Sequence, residues 1–584
     1  MAPSGSFAAL RMTYIATFES VPLLPLVSGP FGRKNRSRFQ RRHLYAGHSI
    51  RIRSELAVMK KRQRFWFVLL TFFICLVALL VYAAVPGKST FTISNETTIV
   101  TDTDEHGYVD YVRAANERLR QGVTPENNAN VLIWRAFGPH PEGGTMPPEF
   151  FDWLGIASPP EEGDYMVGFQ MHITETVKTD APIVHEKYYE MLNRAMKRPW
   201  TEKEEPDVAG WLDRNEKPLA VLIEGTRRTK YYNPLTPKKD QNWSPGLIGA
   251  LLPSVQKCRE AAMALTCRAM FRVGQGQFED AWQDLLACHR LGRLVAQGGC
   301  LIELLVGLAI DQIATTSDIA YLQHSKLSSS QILAKQQELR NLPEMASPAA
   351  KLDISERFMM LESMLQAARY GPSHVARIEA ARFGPVKEDA STNKLFTPSI
   401  DWDLALRNAN RWIDRCVAAC HIADRTERHH ALWLIVQDLK LLKEQFSDGG
   451  FIMTALKGPG ERGEILGNVV ISLLLPAFEK VQEAWDRNAQ VQRNLQIAFA
   501  LSAYRQDQGH YPATLADLAP KYLPEIADDL FSGKPLIYRP AADGFLLYSV
   551  GVNGKDDDGR SPESEPRGDD LSVRVPELMP ATKK

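Results

Sequence analysis

A run of apolar residues from Phe65 to Val85 contains no charged side chain. About 20 consecutive apolar residues are enough to cross the hydrocarbon core of a bilayer as one helix. The basic stretch Lys60–Arg64 precedes this run, and basic flanks stay on the cytoplasmic side of a membrane. The pattern therefore predicts a single transmembrane signal-anchor at residues 65–85 that contacts the lipid bilayer. The N-terminus would be cytoplasmic, and the bulk of the chain extracytoplasmic and periplasmic.

Two other structures compete for the same segment. A buried core helix is disfavoured by the length of the run and by its lack of charge. A cleaved signal peptide is a stronger alternative, because Val81 and Ala83 offer small residues at a cleavage site. The run exceeds the usual 7–15 residues of a signal-peptide core, so an uncleaved anchor is favoured.

Charge is unevenly distributed, although the formal net charge of the chain is zero. Residues 1–64 contain 13 Lys and Arg against two acidic residues, a net of +11, so the rest of the chain carries −11. Met59 directly precedes the basic flank, and we interpret the first 58 residues as a mis-assigned upstream extension. The alternative is a basic arm that touches anionic lipid or nucleic acid. Aromatic residues hardly alternate with the arginines at 33–42, so no nucleic-acid partner is expected.

Composition and helical periodicity divide the chain after the predicted anchor. Residues 86–107 are rich in Thr and Ser and resemble a spacer. Residues 108–245 alternate short helical patterns with Pro and Gly breaks and carry many Trp and Tyr, which indicates an irregular but packed α-rich region. Residues 246–475 have the strongest helical periodicity and predict a helical domain. Residues 476–584 are predicted to form a small α+β domain.

Two amphipathic segments, Pro253–Val273 and Phe278–Gln297, predict a helical hairpin around the turn at residues 274–277. Gly276, Phe278 and Ala281 are spaced as in the turn and second helix of a tetratricopeptide repeat, which residues 261–297 resemble. A solenoid needs about three repeats, and this is the one good copy. A lone helical hairpin inside a larger domain is therefore expected.

The helix predicted at Cys300–Leu322 is very apolar but is interrupted by Glu303 and Asp311, which favours a core helix over a second membrane span. Six cysteines follow the anchor, and all of them occur in apolar helical patterns. Disulfides would be possible in an oxidising compartment. Packing as small free hydrophobic side chains is the preferred interpretation.

The C-terminal pattern combines a helix with a predicted β-hairpin. Gly509 and Pro512 end the helix, and the apolar runs 536–538 and 545–550 flank a turn that contains Asp543-Gly544. The hairpin is followed by an acidic loop.

A family resemblance rests on three short motifs of this segment. They are Gly509-His510-Tyr511-Pro512, the turn 529–533 and Ser549-Val550-Gly551. About 80 residues resemble the C-terminal globular domain of the type II secretion major pseudopilin. The resemblance implies the kind of fold, and no reaction follows from it.

The acidic loop is the best-supported candidate site. By the same resemblance, calcium would be bound by a set of oxygen donors, namely Asn553, Asp556, Asp558, Asp569 and Asp570. Calcium prefers six to eight oxygen ligands on a flexible loop. An ordinary solvated acidic turn is the alternative, and Asn553 stands where the family often has Asp.

Other motifs give no reaction. Cys416 and Cys420 are one residue too far apart for the haem-attachment motif, and neither a P-loop nor a nucleophile elbow occurs. The sequence therefore predicts a mainly α chain with one transmembrane helix, a helical extracytoplasmic body and a small α+β C-terminal domain. The expected role is structural or protein-interaction at the cell envelope, with unknown protein partners. The alternative is an envelope enzyme with an unrecognised site in residues 130–250.

Overall fold

The computed structural model describes residues 90–177, 182–237, 246–370, 399–447, 458–562 and 564–576. The chain divides into two compact units, and the larger one comprises Phe91–Leu365, Trp402–Asp448 and Gly463–Lys584. Few residues of the smaller unit are described, so the account below concerns the larger unit.

The N-terminal half of this unit consists of short helices separated by turns. They are α1 (Tyr111–Leu119), α2 (Ala129–Phe137), α3 (Pro148–Leu154), α4 (Phe169–Val177), α5 (Pro182–Lys197), α6 (Pro206–Arg214) and α7 (Glu216–Thr226). Proline occupies the first turn of α3 and α6, where its missing N–H costs no hydrogen bond. Trp134, Trp200 and Trp211 are fully buried, so this aromatic-rich stretch is a packed region.

Three long helices form the centre of the unit. They are α8 (Pro253–Gly274), α9 (Phe278–Val295) and α10 (Leu301–His324). Gly276 takes a positive φ of 78° in the turn between α8 and α9, a conformation that glycine adopts without strain. Gly292 of α9 and Gly307 of α10 allow the two backbones to approach closely, because a Cβ on Gly307 would lie 2.5 Å from the Gly292 carbonyl oxygen. The predicted core helix at 300–322 is confirmed.

Further helices follow along the chain. They are α11 (Ser329–Arg340), α12 (Pro348–Lys351), a π-helical turn (Leu352–Glu356), α13 (Arg357–Tyr370), α14 (Trp402–Cys420), α15 (Arg425–Ser447) and α16 (Pro459–Gln508). Helix α16 continues through Pro476, where the sequence predicts a kink or a helix start.

The C-terminal module continues from α16 into a small antiparallel sheet. Its strands are β1 (Ile537–Pro540), β2 (Phe545–Ser549) and β3 (Leu571–Val575), in the order β1-β2-β3. Ile537 pairs with Tyr548 in the first ladder, and Phe545 pairs with Val575 in the second. One cluster of buried apolar side chains contains residues of α8 and α9 together with Phe499, Leu547 and Val573. The module therefore shares its core with the helical body.

The predicted membrane-anchored fold class is corrected by the structure. Within the ranges given above, no helix is long and apolar enough to cross a membrane. The most apolar of the long helices, α10, has buried carboxylates at Glu303, Asp311 and Asp318, which suit a protein core with matching polar partners. The predicted anchor at residues 65–85 lies outside the described residues. What the structure supports is a mainly helical chain with a small three-stranded sheet, and the single-pass membrane localisation is not supported.

Candidate functional site

The predicted calcium ligands lie in the loop between β2 and β3, and hydrogen bonds inside the protein engage most of them. Asp570 is completely buried, and its Oδ2 accepts hydrogen bonds from the backbone N–H groups of Asp557 (3.1 Å) and Gly559 (2.7 Å). Burial raises the pKa of Asp570. Asp569 accepts from the Asn553 N–H at 2.9 Å and pairs with Arg487 at 2.6 Å.

The other two predicted carboxylates also have protein partners. Asp556 Oδ1 accepts hydrogen bonds from the Tyr548 hydroxyl and from the N–H of Asp558, each at 2.9 Å. Asp558 forms an ion pair with Arg539 at 3.1 Å. Buried Asp570 Oδ1 is the one atom of these four carboxylates that is both buried and without a partner in the described chain.

The donors present do not fit a calcium ion as they are arranged. In the described ranges, no three His, Cys, Asp or Glu side chains come together as a set that could hold a metal ion. The arginines beside Asp558 and Asp569 neutralise two of the charges that calcium would need. Calcium binding by this loop stays a prediction from the sequence.

A buried charge network inside the helical body was not predicted from the sequence. His289 of α9 contacts Asp311 through Nδ1 and Asp318 through Nε2, each at 2.7 Å, and all three side chains are fully buried. Burial alone would lower the pKa of His289, but the charges of Asp318 and Asp311 outweigh it and raise the pKa to about 9. The imidazole is therefore a cation held between two carboxylates.

Residues of α9 and α16 complete the network around Asp311. Arg293 pairs with Asp311 Oδ1, while Asn488 and Gln492 donate to Oδ2 at 2.9 and 2.8 Å. Burial raises the pKa of Asp311, but Arg293 and His289 outweigh that effect and hold it well below its usual range. His289, Asp311 and Asp318 are fully buried, and the hydrogen bonds from Asn488 and Gln492 tie α16 to α9 and α10.

Two further carboxylates, the buried Glu303 and the half-buried Glu362, accept hydrogen bonds from backbone N–H groups of turns. Glu303, at the start of α10, accepts from the Cys300 N–H at 3.2 Å and from Asn233 Nδ2 at 3.0 Å, and burial raises its pKa. Glu362 of α13 accepts from the N–H of Leu247 at 2.6 Å. Burial raises the pKa of Glu362 to about 7.

The cysteine pair compared above with the haem-attachment motif is packed inside the protein. Cys416 and Cys420 are buried free thiols one turn apart on α14, and burial raises the pKa of each to about 12. The four other described cysteines are also buried and free. This confirms the interpretation that they pack as small hydrophobic side chains.

Helix α15 has an apolar face that is open to solvent. Leu432, Ile435 and Leu439 are buried, whereas Trp433 (47% exposed) and Leu441 (58%) are exposed two turns apart. Leu434 is also exposed, and His430 stacks on the Trp433 ring with centroids 5.9 Å apart. Three large apolar side chains on one helix face form what we call the α15 face.

Two cavities lie elsewhere in the unit. An apolar cavity of about 70 Å³ is lined by Leu352 of the π-helical turn, by Ile413 and Cys416 of α14, and by Phe478 of α16. It is far smaller than the roughly 300–1,000 Å³ of typical small-molecule sites. A polar cleft of about 270 Å³ lies beside α1.

Comparison of the chain with protein-family models finds no match, and comparisons with curated proteins and with solved structures find no similar protein. The resemblance of the C-terminal module to a pseudopilin domain, and that of residues 261–297 to a tetratricopeptide repeat, therefore stay predictions.

Proposed function

We propose that the protein is an interaction protein whose helical body presents the α15 face to a protein partner. The observation that carries this proposal is the exposure of Trp433, Leu434 and Leu441 on one side of a helix whose other side is buried. Single exposed apolar residues are common, whereas grouped ones mark interaction sites. Tryptophan is also enriched among the residues that contribute most to binding at interfaces.

The shape of the face indicates the kind of partner. Leu434 and Leu441 are seven residues apart, and this spacing matches a partner helix with its own apolar stripe. The helical body and the C-terminal module share one buried core, and the α15 face belongs to the same packed unit. This packing supports a scaffold role.

The enzyme alternative has no comparable support. Neither cavity described above is lined by residues 130–250, where the alternative would place a site. That alternative stays a prediction from the sequence.

Site-specific photo-crosslinking of the full chain in cells tests the proposal. A photoreactive amino acid at position 434 should give a discrete covalent adduct with another protein. The matched control is position 171, because Met171 is 58% exposed and lies on a different helix, α4. The adduct should disappear in a Trp433→Glu/Leu441→Glu variant that keeps its thermal midpoint. Absence of a discrete adduct at 434, or the same adduct at 171, would overturn the proposal.

A further inference from the structure

The loop between β2 and β3 contains an asparagine followed by a glycine, Asn553-Gly554, and the sequence has no second pair of this kind. Both residues are exposed and lie in a turn. Gly554 has a φ of 66°, and no other part of the described chain lies within 4 Å of the position that a Cβ on it would occupy. The main chain after Asn553 is therefore open to water and is not screened by a side chain.

The Asn553 side chain is oriented by hydrogen bonds although it is exposed. Its Oδ1 accepts from the Lys555 N–H at 2.7 Å, and its Nδ2 donates to Asp557 Oδ2 at 3.2 Å. The Asn553 N–H donates to Asp569 Oδ2 at 2.9 Å, which fixes the main chain on the other side of the residue. These contacts hold the amide with its oxygen on a main-chain donor.

This pair of residues can undergo an intramolecular reaction. The Gly554 nitrogen forms a bond to Cγ of Asn553, and the bond between Cγ and Nδ2 breaks. The proton lost by the Gly554 nitrogen passes through water to Nδ2, which leaves as ammonia. Because the reacting atoms belong to adjacent residues, no encounter between molecules is needed.

Water then opens the cyclic imide that this step leaves. Hydrolysis at the side-chain carbonyl gives aspartate at position 553. Hydrolysis at the main-chain carbonyl gives isoaspartate, in which the main chain runs through Cγ. The whole sequence consumes one water and releases one ammonia, and it requires neither an oxidant nor a cofactor.

Three features of the loop favour this reaction. Negative charge develops on Oδ1 as the nitrogen adds, and the Lys555 N–H is already placed to stabilise it, as an oxyanion donor does in acyl transfer. The hydrogen bond from the Gly554 N–H to the Gly551 carbonyl is long, at 3.3 Å, so the nitrogen is released at small cost. Glycine also permits the backbone conformations that ring closure requires.

The aspartate product would disturb the contacts that the amide now makes. Asp557 Oδ2 accepts from Asn553 Nδ2 and also from the Asp569 N–H at 2.9 Å. A carboxylate at position 553 has no proton to donate, so its contact with Asp557 becomes a repulsion between like charges. The modified loop should therefore open more readily than the original one.

We propose that Asn553 is a site of spontaneous deamidation and that the aspartate product loosens the loop between β2 and β3. The modification turns a neutral, hydrogen-bonded amide into an additional negative charge in an acidic loop. It is separate from the α15 face, and the proposal does not depend on that face being functional.

Mass spectrometry of the full chain, incubated in neutral buffer and digested at intervals, tests the reaction. We expect conversion of the amide to the acid at position 553, with both aspartate and isoaspartate among the products. Asn95 is the internal control, because it is also exposed but is followed by Glu96. It should convert at least tenfold more slowly.

A parallel incubation in guanidinium chloride separates the effect of the loop from that of the sequence. Conversion at position 553 should be at least as fast in the folded chain as in the unfolded chain, because the Lys555 donor is in place only in the fold. Absence of conversion at 553, or conversion tenfold slower in the folded chain, would overturn the proposal.

Variants test the consequence for the loop. Asn553→Asp gives the product directly, and Asn553→Ser is the uncharged control. A protease that cleaves after lysine should cut at Lys555 at least threefold faster in Asn553→Asp than in the parent, whereas Asn553→Ser should stay within twofold of the parent. Equal cleavage of Asn553→Asp and the parent, or of the two variants, would overturn the loosening by charge.

Discussion

His289 Nε2 and Asp318 Oδ2 lie 2.7 Å apart, and both side chains are completely buried. The other ring nitrogen of His289 faces Asp311 at the same distance. A carboxylate only accepts hydrogen bonds, so an imidazole between two carboxylates donates from both nitrogens and carries a positive charge. Together with Arg293, the cluster contains two cations and two anions, so the buried charge is balanced.

Removing the imidazole should destabilise the fold strongly. His289→Ala leaves two buried carboxylates with one guanidinium, and breaking a buried ion pair in this way costs about 3–5 kcal/mol. Urea unfolding at pH 7 measures the loss in the free energy of unfolding. The control His106→Ala changes an exposed histidine and should stay within about 0.5 kcal/mol of the parent. A loss below about 1 kcal/mol for His289→Ala would show that the network contributes little.

The contribution of His289 should also depend on pH. Its folded pKa of about 9 lies above the ordinary value of 6.5, so the folded state holds the proton more tightly. The stabilisation is complete below pH 6.5 and is lost as pH rises through 9, a difference on the order of 3 kcal/mol. The measurement is the gap in unfolding free energy between parent and His289→Ala from pH 6 to 10, in which other titrations largely cancel. A gap that stays constant or widens would contradict the charged imidazole.

Glu362 is an acid and His289 is a base, but the contributions of both to the stability of the fold should decrease as pH rises. Burial raises the folded pKa of Glu362 from 4.5 to about 7, so the folded protein favours the protonated acid. Stability from this group is present below pH 4.5 and falls as pH rises to about 7, by roughly 1–3 kcal/mol. Glu362→Gln keeps the shape without the charge. We expect its unfolding midpoint to exceed that of the parent at pH 8 and to match it near pH 4.5, and equal midpoints at pH 8 would refute the assignment.

Because α9 packs closely on α10, replacing Gly307 of α10 with alanine should destabilise the fold. Glycine to alanine inside a helix ordinarily stabilises by about 1 kcal/mol. At Gly307 the new methyl would lie 2.5 Å from the Gly292 carbonyl oxygen and 2.7 Å from Ala296, so the helices must separate. We expect Gly307→Ala to cost about 1–3 kcal/mol in urea unfolding. Gly144→Ala, with no atom within 4 Å of the added carbon, is the matched control and should be close to neutral.

Local patterns in the sequence located several elements well. The apolar runs around Asp543-Gly544 match strands β1 and β2, and the segments that begin at Pro253 and Phe278 match α8 and α9. Strand β3 was not predicted, although Leu571, Val573 and Val575 alternate at a strand period. Such a short run after a long acidic loop has no turn signal that ties it to β2.

The spacing of residues in the sequence does not reveal the buried network around His289. Its members come from α9, α10 and α16, and Asn488 is 177 positions from Asp311 in the chain. The sequence shows Asp311 only as a polar interruption of an apolar helix. Partners so far apart become recognisable when tertiary packing brings them together, and the same holds for the α15 face, whose exposure depends on what the rest of the chain covers.

The last prediction concerns calcium at the loop between β2 and β3. Asp558 and Asp569 pair with Arg539 and Arg487, and a bound ion would have to break these pairs. We therefore expect the thermal midpoint of the full chain to be the same in chelator and in millimolar calcium. Asp570→Ala should lower the unfolding free energy by about 1–3 kcal/mol in both conditions, because two backbone N–H groups lose their acceptor.

Calcium binding at this loop would instead raise the thermal midpoint of the parent chain. Stabilisation by a ligand follows its concentration relative to Kd, and an ion at tenfold excess over Kd would contribute about 1.4 kcal/mol. A midpoint that rises with calcium in the parent chain, and stays fixed in Asp558→Ala, would establish the site predicted from the sequence. It would also mean that Arg539 releases Asp558 when the ion binds. A rise of equal size in both proteins would place the ion elsewhere, and the loop would remain a turn held by its own hydrogen bonds.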